Sequence, residues 1–225
     1  MQIEFVSQDA APAARSILAI VVPEGEAASV SGGAFAAAVA QSRFTGARGQ
    51  VLEVAGPQGR TVLVGGGKAA DLDSLAAEQT AAAAYAAVKL SGAEVLRLVP
   101  SVDTGAFDAR AALGVRLGAY RFDKYRTREP AEKKPSVVRT QIVTAHAEAA
   151  GQAMPALAAL ADAVVFARDL VSEPANILYP VEFARRVKAL ETLGLSVEVL
   201  GEEEMRQLGM GSLLGGGQSS KRESQ

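Results

Sequence analysis

The side chains able to do chemistry are few and scattered. His146 is the only histidine, which excludes an HExxH helix and every site built on two or three imidazoles. It reads as a partly exposed residue at the end of a strand. With no cysteine, disulfides, thiolate zinc sites and cysteine nucleophiles are excluded together. Carboxylates hold a hard cation when several converge from strand ends or a dense loop. The one acidic cluster, Glu202-Glu203-Glu204, reads instead as the first turn of a helix, where carboxylates favour the positive end of the dipole. There is no G-x-S-x-G elbow, and a Ser-His-acid arrangement would have to use His146 with no placed serine to serve. No catalytic, cofactor-binding or metal-ligating residue is assigned.

Two stretches have the chemistry to meet an anion. Gly65-Gly66-Gly67-Lys68 follows a strand-like run, so its backbone amides could turn toward a phosphate with Lys68 nearby. It is neither a Walker A loop, since Ala69 follows the lysine, nor a dinucleotide fingerprint, since Ala70 stands in the last glycine place. A structural strand-to-helix turn is the main expectation, with nucleotide contact as the alternative. The second stretch, Arg121 to Lys134, interleaves Arg121, Lys124, Arg126, Arg128, Lys133 and Lys134 with Asp123, Glu129 and Glu132. It is expected to be a solvated loop, because so small a positive excess supports few phosphate contacts and no reading element is recognisable.

The elements that would position these residues alternate. The chain has 225 residues, 49% hydrophobic and 21% charged, enough for one ample domain or two modest ones. Twenty-three basic against 25 acidic residues exclude a general attraction to nucleic acid or anionic membrane. No segment reads as a membrane span, and the amino terminus lacks the pattern of a signal peptide, so a cytoplasmic protein is expected.

Strands are predicted at Ile17 to Val22, Gln50 to Val54, Arg60 to Val64, Glu94 to Val99 and Val137 to Thr144, the second and third as a hairpin around Gly56-Pro57-Gln58-Gly59. Between them, Ser31 is predicted to cap a helix carrying Phe35 and Val39, and Asp71, Asp73 or Ser74 an alanine-rich helix reaching Lys89. A third helix carries Ala106, Ala109, Leu113, Leu117 and Tyr120 on one stripe. This is an α/β pattern with a mixed sheet.

From Pro155, Leu157, Leu160, Val164, Ala167 and Val171 fall on a 3.6-residue stripe ending near Pro174, a linker helix. Pro180 then opens a helix with Phe183, Val187 and Leu190 inward, followed by a strand at Ser196 to Leu200 and a helix from Glu202. The expected organisation is an α/β domain over 1–150, a linker over 151–179 and an incomplete second α/β domain over 180–225.

The run Arg168-Asp169-Leu170-Val171-Ser172-Glu173-Pro174-Ala175-Asn176-Ile177-Leu178-Tyr179-Pro180 resembles the leucyl aminopeptidase, or cytosol aminopeptidase, family. The likeness continues in Leu195 to Leu200 and in Gly209 to Ser220, and extends back through Val64 to Lys68 and Tyr120 to Tyr125. The resemblance implies a three-layer, macro-domain-like amino-terminal domain joined to the first part of a catalytic domain. It further implies a cytoplasmic hexamer that removes amino-terminal residues from peptides with two divalent metal ions, zinc or manganese. The family's metal-binding and catalytic motifs lie beyond the segment matching Ser220 to Gln225, and none occurs here. The chain is therefore expected to be inactive alone, with an ADP-ribose-like or nucleic-acid-binding module as the alternative.

Overall fold

A computed structural model describes residues 1–56, 59–217 and 222–224. The chain divides into two compact units, Met1–Val165 and Phe166–Gln225.

The first unit is built on six strands: β1 (Gln2–Val6), β2 (Ser16–Pro23), β3 (Val51–Gly56), β4 (Gly59–Gly67), β5 (Val95–Val99) and β6 (Arg139–Val143), ordered β1-β6-β5-β2-β4-β3. All neighbours run parallel except β3, which joins β4 as an antiparallel edge. The fold is thus mixed α/β, as expected. The hairpin pairs further than predicted, to Gly56 opposite Gly59. Its Pro57 and Gln58 lie outside the described residues.

Parallel strands need cover on both faces. One face receives α2 (Ser74–Val88) and α3 (Gly105–Gly118), which connect β4 to β5 and β5 to β6. Ala81, Ala84, Tyr85 and Val88 of α2 and Ala111, Ala112 and Val115 of α3 pack on Ile17, Ala19, Val21, Val62, Val64, Leu96, Leu98 and Ile142. Of the three candidate caps for α2, Asp73 serves: its carboxylate accepts from Ala76 N–H at 2.8 Å. Thr104 does the same for α3 at Phe107 N–H. The two helices lie close because α3 is glycine where they meet; a Cβ on Gly114 would stand 2.1 Å from the Glu78 carbonyl oxygen.

The opposite face is covered less regularly. Phe35, Val39 and Phe44 pack on Ile20, Val22, Val54 and Leu63, but the helix there, α1 (Ala36–Ala40), is shorter than predicted. Ser31 is no cap: it sits in the left-handed region (φ 54°) inside a 3-10 turn, ahead of Phe35.

The linker helix, α4 (Ala147–Ser172), starts eight residues before Pro155 and encloses that proline. Its buried residues are Ala150 and Ala161, whereas Leu160 is exposed and Val171 is 88% exposed. An alanine-rich helix with apolar groups on several sides does not fix its own phase, and the predicted stripe was rotated off the observed one.

The second unit contains the end of α4, α5 (Pro180–Lys188), α6 (Glu202–Gln207) and α7 (Gly211–Gly217). Glu202, Glu203 and Glu204 do open α6, and Glu204 accepts from the Gly201 N–H at 2.7 Å. The predicted strand at Ser196 to Leu200 is absent. That segment has no regular structure and no pairing partner among the described residues, and a strand exists only through its partner. Phe183, expected inward, is 46% exposed.

Two glycine substitutions test this packing. Gly114→Ala should force α3 off α2 and cost about 3 kcal/mol in urea unfolding. Gly151→Ala, in α4 with nothing within 4 Å of the added carbon, should instead gain about 0.5–1 kcal/mol.

Candidate functional site

The glycine turn is sealed rather than open. Gly65 N–H donates to the Gln50 carbonyl at 2.8 Å and Gly67 N–H to the Gly46 carbonyl at 2.9 Å. A Cβ at Gly65 would lie 1.9 Å from the Ala47 carbonyl oxygen, so these glycines admit a neighbouring backbone segment. Arg48 crosses them, donating to the carbonyls of Gly66 and Asp71. With both amides committed, the turn has little left to offer a phosphate. Lys68 is exposed beside it.

The basic stretch pairs two of its arginines with its own acids. Arg121 pairs with Glu129 and lies 3.7 Å from Asp123, while Arg126 reaches Glu129 at 3.8 Å. Lys124 stands 5.3 Å above the Tyr125 ring, and Tyr125 meets Phe122 edge to face at 5.8 Å. The two rings therefore pack on each other within the segment after α3.

His146 is exposed at the end of β6, and its backbone N–H donates to Thr144 Oγ1 at 2.8 Å. The same hydroxyl lies 2.6 Å from Asp108 Oδ2 and 2.9 Å from Asp103 Oδ1. Asp103 also accepts from Ala145 N–H. Asp108 is fully buried, and burial, with Asp103 close by, pushes its carboxyl up to about 6 against the opposing Thr144 bond and His146. One hydroxyl proton cannot serve both carboxylates. In the protonated form Asp108 donates to Thr144, and Thr144 donates onward to Asp103, which satisfies the chain of bonds and ties β6 to the start of α3. Sequence reasoning missed this cluster because Thr144 lies 36 positions from Asp108 and 41 from Asp103, and none of the three is unusual alone.

It also missed Arg97. In Val95-Leu96-Arg97-Leu98-Val99, alternation sends Leu96 and Leu98 into the helix-covered face and Arg97 to the other. A single arginine inside an apolar strand was the available signal.

Metal-ligating side chains do not gather. Among the described residues there is no group of three or more His, Asp or Glu able to hold a metal ion. The donors among the described residues do not fit a metal centre, and no step of metal chemistry is assigned to them. Among the described residues, no helix is long and apolar enough to cross a membrane.

In the second unit Glu173 and Glu182 converge on Arg186, at 3.3 and 2.8 Å. Arg185 and Arg186 hold the Glu182 carboxylate down to about 2. The model of the cytosol aminopeptidase family amino-terminal domain matches residues 19–129, and that of the same family's catalytic domain matches residues 165–225. The chain belongs to the cytosol aminopeptidase family. A probable cytosol aminopeptidase of Caulobacter vibrioides is 54% identical over all of this chain and 48% of its own length. One of Rhizobium etli is 43% identical over 91% of this chain and 44% of its own. The chain thus spans about half the length of the curated relatives it matches.

Among solved structures, a mutant of tomato leucine aminopeptidase superposes with a TM-score of 0.77 at 23% identity, covering 93% of this chain and 46% of that one. The bottromycin maturation enzyme BotP gives 0.68 at 27% identity, covering 94% and 44%, and BotP in complex with Mn matches equally. The chain therefore corresponds to the amino-terminal portion of cytosol aminopeptidases. Its Glu173 and Arg186 fall within the catalytic-domain match.

The Asp108 cluster makes stability depend on pH in an unusual direction. Its folded value lies above the ordinary 3.8, so the fold holds this proton more tightly than the unfolded chain does. That contribution is complete below about pH 4 and is lost as pH rises through about 6. Asp108→Asn keeps a donor toward Thr144. Compared with the parent in urea unfolding from pH 4 to 8, it should flatten the decline and gain about 2–3 kcal/mol above pH 6.

Proposed function

We propose that this chain is the supporting half of a cytoplasmic, metal-dependent leucyl aminopeptidase and does not hydrolyse peptides by itself. The first unit shapes subunit assembly and the approach to the active site. The whole protein removes amino-terminal residues from peptides with two divalent ions, manganese or zinc, as a homo-oligomer, a hexamer in the family. The organisation we adopt is a domain over 1–150, a linker over 151–179 and the opening of the catalytic domain over 180–225.

The observation that carries this reading is the state of the second unit. Its only buried hydrophobic side chain among the described residues is Met205, while Val171, Phe183, Leu195, Leu208 and Leu213 are exposed. Phe183, Val187, Val199, Met205, Met210 and Leu213 line an apolar groove of about 250 Å³. Apolar side chains in this density want cover from further elements of a catalytic core. Nucleotide or nucleic-acid contact draws little support, because the Gly65 and Gly67 amides are paired and Arg121 is bound by acids.

Hydrolysis of leucine p-nitroanilide, with manganese or zinc supplied, tests the proposal. The 225-residue chain should stay at the uncatalysed rate, and a chain extended by the remaining catalytic region of the Caulobacter relative should turn over. Metal-dependent turnover by the 225-residue chain would refute it.

A further inference from the structure

Strand register places Thr61, Leu18, Arg97, Gln141 and Glu4 in one row across five strands, on the sheet face opposite α2 and α3. Glu4 is occupied by Arg139 at 3.5 Å and by the Gln141 amide at 3.1 Å. Arg97 is only 8% exposed, and its Nη2 donates to the Gln8 carbonyl at 3.2 Å. Its Nη1 is buried with no hydrogen-bond partner, and it makes no ion pair among the described residues. A buried guanidinium without a counter-charge is costly, and the cost is relieved by an anion.

Space for one is present. Arg97 lines a cleft of about 650 Å³ between the loop carrying Gln8 and Pro12 and the sheet face, a size usual for small-molecule sites. Leu18, Val99 and Val143 give it an apolar wall, and Ser16 and Thr61 add hydroxyls. The other charged groups lining it do not supply the missing charge. Arg60 is itself a cation, with Glu53 as its partner, and Asp9 is exposed and makes no ion pair with Arg97 among the described residues.

We infer that this cleft binds a small carboxylate with an aliphatic body, the carboxylate on the Arg97 guanidinium and the body along Leu18, Val99 and Val143. Guanidinium and carboxylate make charge-assisted hydrogen bonds, and the apolar wall selects against a bare inorganic anion. This site is separate from peptide hydrolysis, and its test does not depend on that activity.

Backbone amide NMR titrations of the 225-residue chain provide the test, with three probes: 4-methylpentanoate, 4-methylpentanamide and inorganic phosphate. The carboxylate should shift the amides of Leu18, Thr61, Val99 and Val143 saturably, and the other two should bind at least about tenfold more weakly. Arg97→Met should weaken the carboxylate by about tenfold or more. Leu18→Phe, which fills the cleft and keeps the guanidinium, should do the same if the arginine variant fails to fold. No saturable shift with the carboxylate, equal binding of the amide, tighter binding of phosphate, or undiminished binding by Leu18→Phe would each overturn the assignment.

Discussion

Five parallel strands present two faces that water must leave, and the way this chain meets that demand accounts for most of its structure. On one face the demand is met over β2, β4, β5 and β6. α2 and α3 lie flat on Ile17, Val62, Leu96 and Ile142, and they do so because Gly114 lets the Glu78 backbone come within what would be Cβ distance. On the other face, cover is complete only over β3, β4 and the carboxyl-terminal half of β2, where Phe35, Val39 and Phe44 sit. Toward β5 and β6 the row turns polar, and Arg97 ends with a nitrogen unserved.

The same accounting separates the two units. In the first, the buried Asp108 is held in a bonded chain through Thr144 to the exposed Asp103. In the second, short helices are held locally by Glu173, Glu182, Arg185 and Arg186 and by the Glu204 cap, while large apolar groups face outward. Ion pairs at exposed sites add little stability, so this unit lacks the burial that the first one has. A family whose catalytic-domain model begins at residue 165 explains why such a unit exists.

Where local signals were strong, the sequence was a sound guide. The apolar run of β2, the β-branched residues of β6, a cap for α2 among Asp71, Asp73 and Ser74, and the Ala109–Leu113 stripe of α3 depend on neighbours along the chain, and all are present. What failed depended on distant partners. β1 went unread although Ile3 and Phe5 alternate with Glu4, because it becomes a strand only by pairing with β6 across 137 residues. Ser196 to Leu200 has strand-like alternation but no partner, and so is not a strand. The glycine turn was legible as glycine-rich, yet only the approach of Ala47 explains why Gly65 must be glycine. Of the candidate anion site, a charged residue in Val95-Leu96-Arg97-Leu98-Val99 was visible, but its burial and missing partner were not.

Large apolar side chains are extensively buried in Met1–Val165, and among the described residues of Phe166–Gln225 hardly at all. Native-state hydrogen exchange resolved by residue measures this directly, since protection follows the free energy of opening. Amides of β2, β4, β5, α2 and α3 should exchange only through global unfolding, and those of α5, α6 and α7 at rates approaching the unstructured chain. Protection of α5 to α7 equal to that of β5 would contradict the account.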